Sequence, residues 1–194
     1  MVACGALARE VKAVLAQLGD AHTIDVEYLP ASLHNRPEHI APRVDALLAE
    51  RAPHYARLVV AYADCGTGGT LRPVLARHGA VALPGAHCYE LFAGADAFAA
   101  LADDEPGTFY LTDFLVRQFE QLVVVGLGLD RHPELRDAYF GAYQRVVLLS
   151  QSADPALAVL GQAAADRLGL AFEHRHVGLG PFADVLVPLL TGAR

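Results

Sequence analysis

The apolar and polar positions of this 194-residue chain follow two alternating periods. Short runs of near-continuous apolarity or strict alternation predict strands at Val2–Cys4, Thr23–Leu29, Arg57–Ala63, Ala80–Leu83, Thr108–Leu111, Arg145–Ser150 and Leu170–His176. The unbroken apolarity of Arg57–Ala63 suits a parallel strand covered on both faces. Between the strands, apolar residues recur three and four apart. Leu7, Val11, Val14, Leu15 and Leu18 mark a helix over Leu7–Leu18, and Val44, Leu47 and Leu48 mark the inner face of Glu38–Arg51. Further helices are expected at Thr70–His78, Tyr89–Gly94, Asp96–Ala102, Asp113–Val125, Pro133–Tyr143, Pro155–Leu168 and Pro181–Leu190. The alternation predicts one α/β domain over residues 1–194. Its expected architecture is doubly wound and three-layered, Rossmann-like, with helices on both faces of a mostly parallel sheet of five to six strands. Residues 95–140 are the stretch where helix follows helix, a candidate helical cap over the sheet edge. No low-complexity linker interrupts the chain.

Composition narrows the classes. Hydrophobic residues make up 54 % of the chain, enough for a substantial core. The net charge of −7, from 15 basic and 22 acidic residues with no basic run, speaks against a nucleic-acid surface. No apolar run reaches the roughly 20 residues of a membrane span; Leu122–Leu129 is too short. Arg9, Glu10 and Lys12 interrupt the first helix where a secretory leader needs an apolar core. An odd count of three cysteines argues against a disulfide framework. These features predict a reduced, cytoplasmic protein with no membrane or nucleic-acid partner. Phosphate-binding glycine motifs of the dinucleotide and Walker types are absent, as is a Gly-x-Ser-x-Gly elbow.

The three cysteines carry the chemistry. Cys4, Cys65 and Cys88 each close or follow a strand-like run and precede a loop or helix start. In a parallel sheet such ends line one edge, where ligands bind. Three thiolates there would hold a metal and leave one position open. Gly5, Gly66, Gly68 and Gly69 let the backbone approach closely, and a helix start favours a thiolate. The alternative is three small apolar thiols packed in a core. No Cys-x-x-Cys pair occurs, so a metal site would be assembled by the fold. A [4Fe–4S] cluster with one open iron and a zinc ion with one open place both suit three cysteines. The cluster is favoured, because three single cysteines from three strand ends resemble the arrangement in quinolinate synthase and the diphthamide radical enzymes.

Other side chains gather around these positions in the sequence. His87 and Glu90 flank Cys88 as candidate acid–base groups or further ligands, and His34 is a third. Asn35 and Arg36 follow His34 on a loop expected at the same edge, where Arg36 would clamp a carboxylate. Thr67 and Gly68, in the turn after Cys65, are suited to an anion. Asp64 would orient a ligand or cap that turn. Arg117, one turn into a helix, is a further candidate for an anion, and Thr112 or Asp113 is the expected cap of that helix. His174 and His176 share one face of a strand. Together these residues predict a metal-dependent enzyme acting on a small polar substrate.

Five segments give the chain a family likeness: Cys4-Gly-Ala-Leu-Ala, Leu33-His34-Asn35, Asp64-Cys65-Gly-Thr-Gly-Gly, His87-Cys88-Tyr89-Glu90 and Leu111-Thr112-Asp113-Phe114-Leu115. They resemble the bacterial and archaeal family called domain of unknown function 1638, from Cys4 to about residue 180. The resemblance implies a cytoplasmic protein linked with corrinoid methyltransferase systems, and with it a candidate corrinoid or methyltransferase partner. It also admits zinc-based methyl transfer, or a non-enzymatic metal carrier. A homo-oligomer is a further expectation. The family brings no established reaction. It places the cysteines, His34 and the segment from His87 to Glu90 in one shared design.

Overall fold

The computed structural model describes residues 1–19 and 23–192. The chain forms two compact units: residues 1–91 together with the segment from Pro181 onward, and residues 92–180.

In the first unit, β1 (Val2–Cys4), β2 (Glu27–Leu29), β3 (Val59–Ala61) and β4 (Val81–Ala82) form a parallel sheet in the order β2-β1-β3-β4. All residues of β1 and β3 are buried, as central strands require. The crossovers are α1 (Ala8–Leu18), α2 (Ile40–Arg51) and α3 (Leu71–His78), and α4 (Cys88–Ala93) follows β4. Val11 and Val14 of α1 and Ile40, Val44 and Leu48 of α2 are buried at the helical spacing read from the sequence. Burying each such side chain contributes about 1.5–3 kcal/mol. Helix α3 stops where Gly79 turns left-handed (φ 60°), with its N–H returning to the carbonyls of Leu75 and Ala76.

The exit from β1 depends on a glycine. A Cβ on Gly5 would stand 2.8 Å from the Leu29 carbonyl oxygen, so only glycine lets the ends of β1 and β2 pass this closely. Among the described residues, no helix is long and apolar enough to cross a membrane.

The second unit has its own parallel sheet, β5 (Thr108–Thr112), β6 (Arg145–Ser150) and β7 (Ala171–His176), in the order β5-β6-β7. Its helices are α5 (Ala95–Asp104), α6 (Asp113–Arg117), α7 (Leu135–Phe140) and α8 (Ala156–Leu168), with a π-helical segment at Glu120–Val125. The closing helix α9 (Gly180–Thr191) leads from this unit back into the first. Leu111, Val124, Val146, Leu148, Leu157 and Leu168 centre the second unit's core. The Asp113 carboxylate ties the ends of β5 and β6: it accepts the N–H groups of Gln151 (2.9 Å) and Ser152 (3.0 Å) and the Ser152 hydroxyl. In return the Asp113 N–H donates to the Gln151 side chain at 3.0 Å. Thr112 caps α6, its hydroxyl accepting the Leu115 N–H.

Every strand expected from the sequence forms, in an α/β arrangement. The expectation of one doubly wound sheet of five to six strands is corrected, because the strands divide into a sheet of four and a sheet of three. An apolar run shows that a strand is covered; it does not say which strand lies beside it. After β4 two helices follow in succession, and the next strand pairs in a new sheet. Residues 95–140, read as a candidate cap, include β5 and the helices α5, α6 and α7 of the second unit.

Candidate thiol site

The carboxyl ends of the first unit's strands converge through backbone hydrogen bonds. β1 ends in Cys4. β3 continues through Tyr62 and Ala63 to Asp64 and Cys65, and the chain after β4 leads to Cys88 at the start of α4. The two latter loops are stitched together: the Asp64 N–H donates to Gly85 (3.1 Å) and the Cys65 N–H to Ala86 (2.8 Å). The segment after β2 coils into a 3-10 turn, Ala31–Asn35, which carries His34. Just beyond it, the Pro37 ring lies 3.5 Å from where a Gly66 Cβ would stand. All four strand ends thereby contribute to one edge.

The three cysteines are free thiols and electrical neighbours. Burial pushes the Cys65 thiol up to about 12, and the charge of Cys4 adds to the rise. Burial likewise raises the Cys88 thiol, with Cys65 and Cys4 both contributing. Cys4 is buried; desolvation lifts its pKa, opposed by the Ala6 N–H that its sulfur accepts at 3.3 Å. All three thiols therefore carry their protons near neutral pH until a cation displaces them. Cys65 sits in the left-handed region (φ 51°), a conformation that costs a non-glycine residue roughly 1–2 kcal/mol. The turn that aims this sulfur thus opposes local stability. Among the described residues, no group of three His, Cys, Asp or Glu side chains is arranged to hold a metal ion.

His34 touches the site. Its Nδ1 lies 3.1 Å from the Ala31 carbonyl and 3.9 Å from the Cys4 sulfur. A carbonyl only accepts, so Nδ1 carries the proton and Nε2 keeps its lone pair. Desolvation lowers the His34 pKa, which favours the neutral ring. The ring stacks on Tyr62, with centroids 6.0 Å apart and planes 13° from parallel.

Sequence reasoning missed two residues here. Tyr62 is fully buried, and its hydroxyl has no hydrogen-bond partner of ordinary geometry among the described residues. Burial and the charges of Cys4 and Cys65 raise its pKa, and the Cys4 thiol lies alongside. Glu10 of α1 is buried, and its charge raises the pKa of Cys4 and Cys88. The signal for Glu10 was present in the sequence: it falls three residues after Leu7 and four before Val14, on the apolar stripe. Tyr62 ends an apolar run in which a phenol looks like another core residue.

The remaining candidates have definite positions. Thr67 and Gly68, read as an anion cradle, already hold the chain's own carboxylate. Asp64 Oδ1 accepts the Thr67 hydroxyl and the Gly69 N–H, both at 2.8 Å, and Oδ2 accepts the Gly68 N–H at 3.2 Å. Glu90 accepts the Ala86 N–H at 3.1 Å and lies against Gly85, bracing the loop before Cys88. His87 packs on Tyr89, with centroids 5.2 Å apart. Asn35 and Arg36 are exposed beside His34, and Arg36 has no carboxylate partner among the described residues. Arg117 belongs to the second unit, where it pairs with Asp154 at 2.6 Å. His174 and His176, also in that unit, both reach the buried Ser150 hydroxyl, at 2.9 and 3.1 Å.

The Cys65 and Cys88 segments, the His34 turn and the Thr112–Asp113 cap all fall within residues 28–186. That span matches the sequence model of a family described as protein of unknown function, DUF1638. The chain belongs to the DUF1638 family. Cys4 lies ahead of the matched span. No curated protein and no solved structure matches the chain. Membership adds no reaction, because the family is one of unknown function.

Proposed function

We propose that the first unit is a metal-dependent catalytic module whose three cysteines bind an iron–sulfur cluster and leave one iron open to a small polar substrate. The observation that carries this reading is the convergence of three free thiols at one edge of the sheet, where the Cys65 N–H donates to the Ala86 carbonyl two residues before Cys88 and Cys4 lies 3.9 Å from His34. Three cysteines from three separate segments can each bind a different iron of a cluster and leave a fourth iron open.

Cys4, Cys65 and Cys88 would hold the cluster, which when bound supplies a Lewis-acidic, redox-active iron. The chain's own groups complete the site. The His34 Nε2 lone pair is available to accept a proton. Arg36, the residue after that turn, would hold a carboxylate. Glu10 places a carboxylate near the sulfurs. Three raised thiol pKa values require proton release on loading, and a reduced, cytoplasmic setting keeps the thiols available.

Anaerobic reconstitution with ferrous iron and sulfide tests the reading. The expected result is a brown protein with thiolate-to-iron charge-transfer absorption and iron and sulfide in equal amounts. Cys4→Ser, Cys65→Ser and Cys88→Ser should each lose most of the bound iron. A colourless protein with one zinc ion would select a zinc–thiolate site instead, and one that binds no metal would remove both.

A further inference from the structure

β7 is an edge strand of the second unit. Among the described residues no strand pairs with its outer side. Ala171, His174, Arg175 and His176 are exposed, whereas the sheet's other edge, β5, keeps Thr108, Leu111 and Thr112 buried. An open edge is a row of backbone donors and acceptors ready to take another strand. The ladder with β6 fixes which groups point outward. The Ala171 N–H donates to Gln144 at 3.1 Å and the Val177 N–H to Ser150 at 2.9 Å, so the odd-numbered residues of β7 bond inward. Phe172, His174 and His176 therefore turn their N–H and C=O groups to the open side. Glu173 and Arg175, between them, share one face of the strand.

We propose that β7 pairs antiparallel with β7 of a second copy of this chain, about a two-fold axis at His174. In that register His174 meets the partner's His174 and Phe172 meets the partner's His176, each facing pair exchanging two backbone hydrogen bonds. The residues between form the closely spaced pairs of an antiparallel ladder. There Glu173 stands opposite the partner's Arg175, and symmetry makes the pair twice. Centring the axis on Glu173 or on Arg175 would set like charges against each other. Centring it on Phe172 or on His176 would run the partner past the end of the strand. Charge and strand length thus select one register. Within one chain Glu173 already pairs with Arg175 and accepts from Arg145 at 3.2 Å, while Arg145 pairs with Asp104 at 3.0 Å, so this face brings no net charge to the contact. The two three-stranded sheets become one continuous sheet with the β7 strands at its centre.

Sedimentation velocity over a concentration series, with a reductant present to exclude disulfide-linked species, should show reversible dimers of the wild type. Arg175→Glu sets carboxylates against each other and Glu173→Arg sets guanidinium groups against each other; each should weaken its homodimer about tenfold or more. Mixed, the two variants restore both opposite-charge pairs and should dimerise about as well as the wild type. His174→Pro removes the central outward N–H without touching the ladder to β6, and should abolish the dimer while the circular dichroism stays that of the wild type. A wild type that is monomeric throughout, a dimer indifferent to Arg175→Glu or to His174→Pro, or folded charge variants that fail to dimerise when mixed would overturn the proposal. Should Glu173→Arg or His174→Pro fail to fold, Arg175→Glu decides alone, since it leaves the Arg145–Asp104 pair in place. Its deficit should shrink as salt screens the facing carboxylates, and a deficit unmoved by salt would overturn the register.

Discussion

At the scale of single residues, the site is held by side chains that would look catalytic on a sequence alone. Asp64 is the clearest case. Its carboxyl is held below the usual range, first by the Thr67 hydroxyl, then by the Gly69 and Gly68 N–H groups. A carboxyl whose folded pKa is lower than its unfolded one stabilises the fold above the unfolded value. That contribution is lost as the pH falls through the folded value. Wild type should therefore lose stability below about pH 4 in urea titrations, the range set by an ordinary carboxyl. Asp64→Asn should be weaker at neutral pH and show a flatter acid limb; an unchanged limb would mean that Asp64 does not anchor the turn. That the cysteines follow strands of one sheet was legible in the sequence, because each comes after an apolar run. Tyr62 was not, because an apolar run hides what one hydroxyl faces. Glu90 was ambiguous because a carboxylate in the first turn of a helix serves structure and chemistry equally well.

At the scale of elements, the strand ends meet through close backbone approach. Gly5→Ala places a methyl group 2.8 Å from the Leu29 carbonyl oxygen, too close for both to stay in place. The ends of β1 and β2 must then separate, at a cost of about 1–3 kcal/mol by analogy with other overpacked sites. Chemical denaturation should register that loss, and iron uptake on reconstitution should fall as Cys4 moves away from the His34 turn. Full stability with full uptake would show that the close approach is dispensable. Element identity was readable because period two and period 3.6 differ plainly in α1, α2, β3 and β6. Element integrity was less so. Asp113–Val125 reads as one helix, yet α6 ends at Arg117 and the chain continues into a π-helical segment from Glu120. Four consecutive apolar residues, Leu122–Val125, do not reveal the width of the turn they occupy.

At the scale of the molecule, each unit has its own sheet and its own buried residues. The second unit depends on Asp113, whose carboxylate satisfies three donors from the end of β6. Asp113→Ala leaves those donors without their charged acceptor and should cost about 3 kcal/mol. Hydrogen exchange should quicken in β5, β6 and β7, while amides of β1 and β3 keep their protection. Uniform acceleration across both sheets would show that the two units unfold as one. This division was hidden in the sequence for a physical reason. The passage between units falls between Leu91 and Phe92, within α4, where no glycine, proline or polar tract marks a linker.

The path of the chain gives that division a consequence in time. Residues 92–180 are one uninterrupted stretch, whereas the thiol-bearing unit also includes the segment from Pro181 onward. On the ribosome, the middle portion emerges whole before its neighbour has its final piece. All three sulfurs are therefore synthesised long before the last wall of their own unit is in place. Any ion or oxidant that reaches them during that interval meets a half-built house.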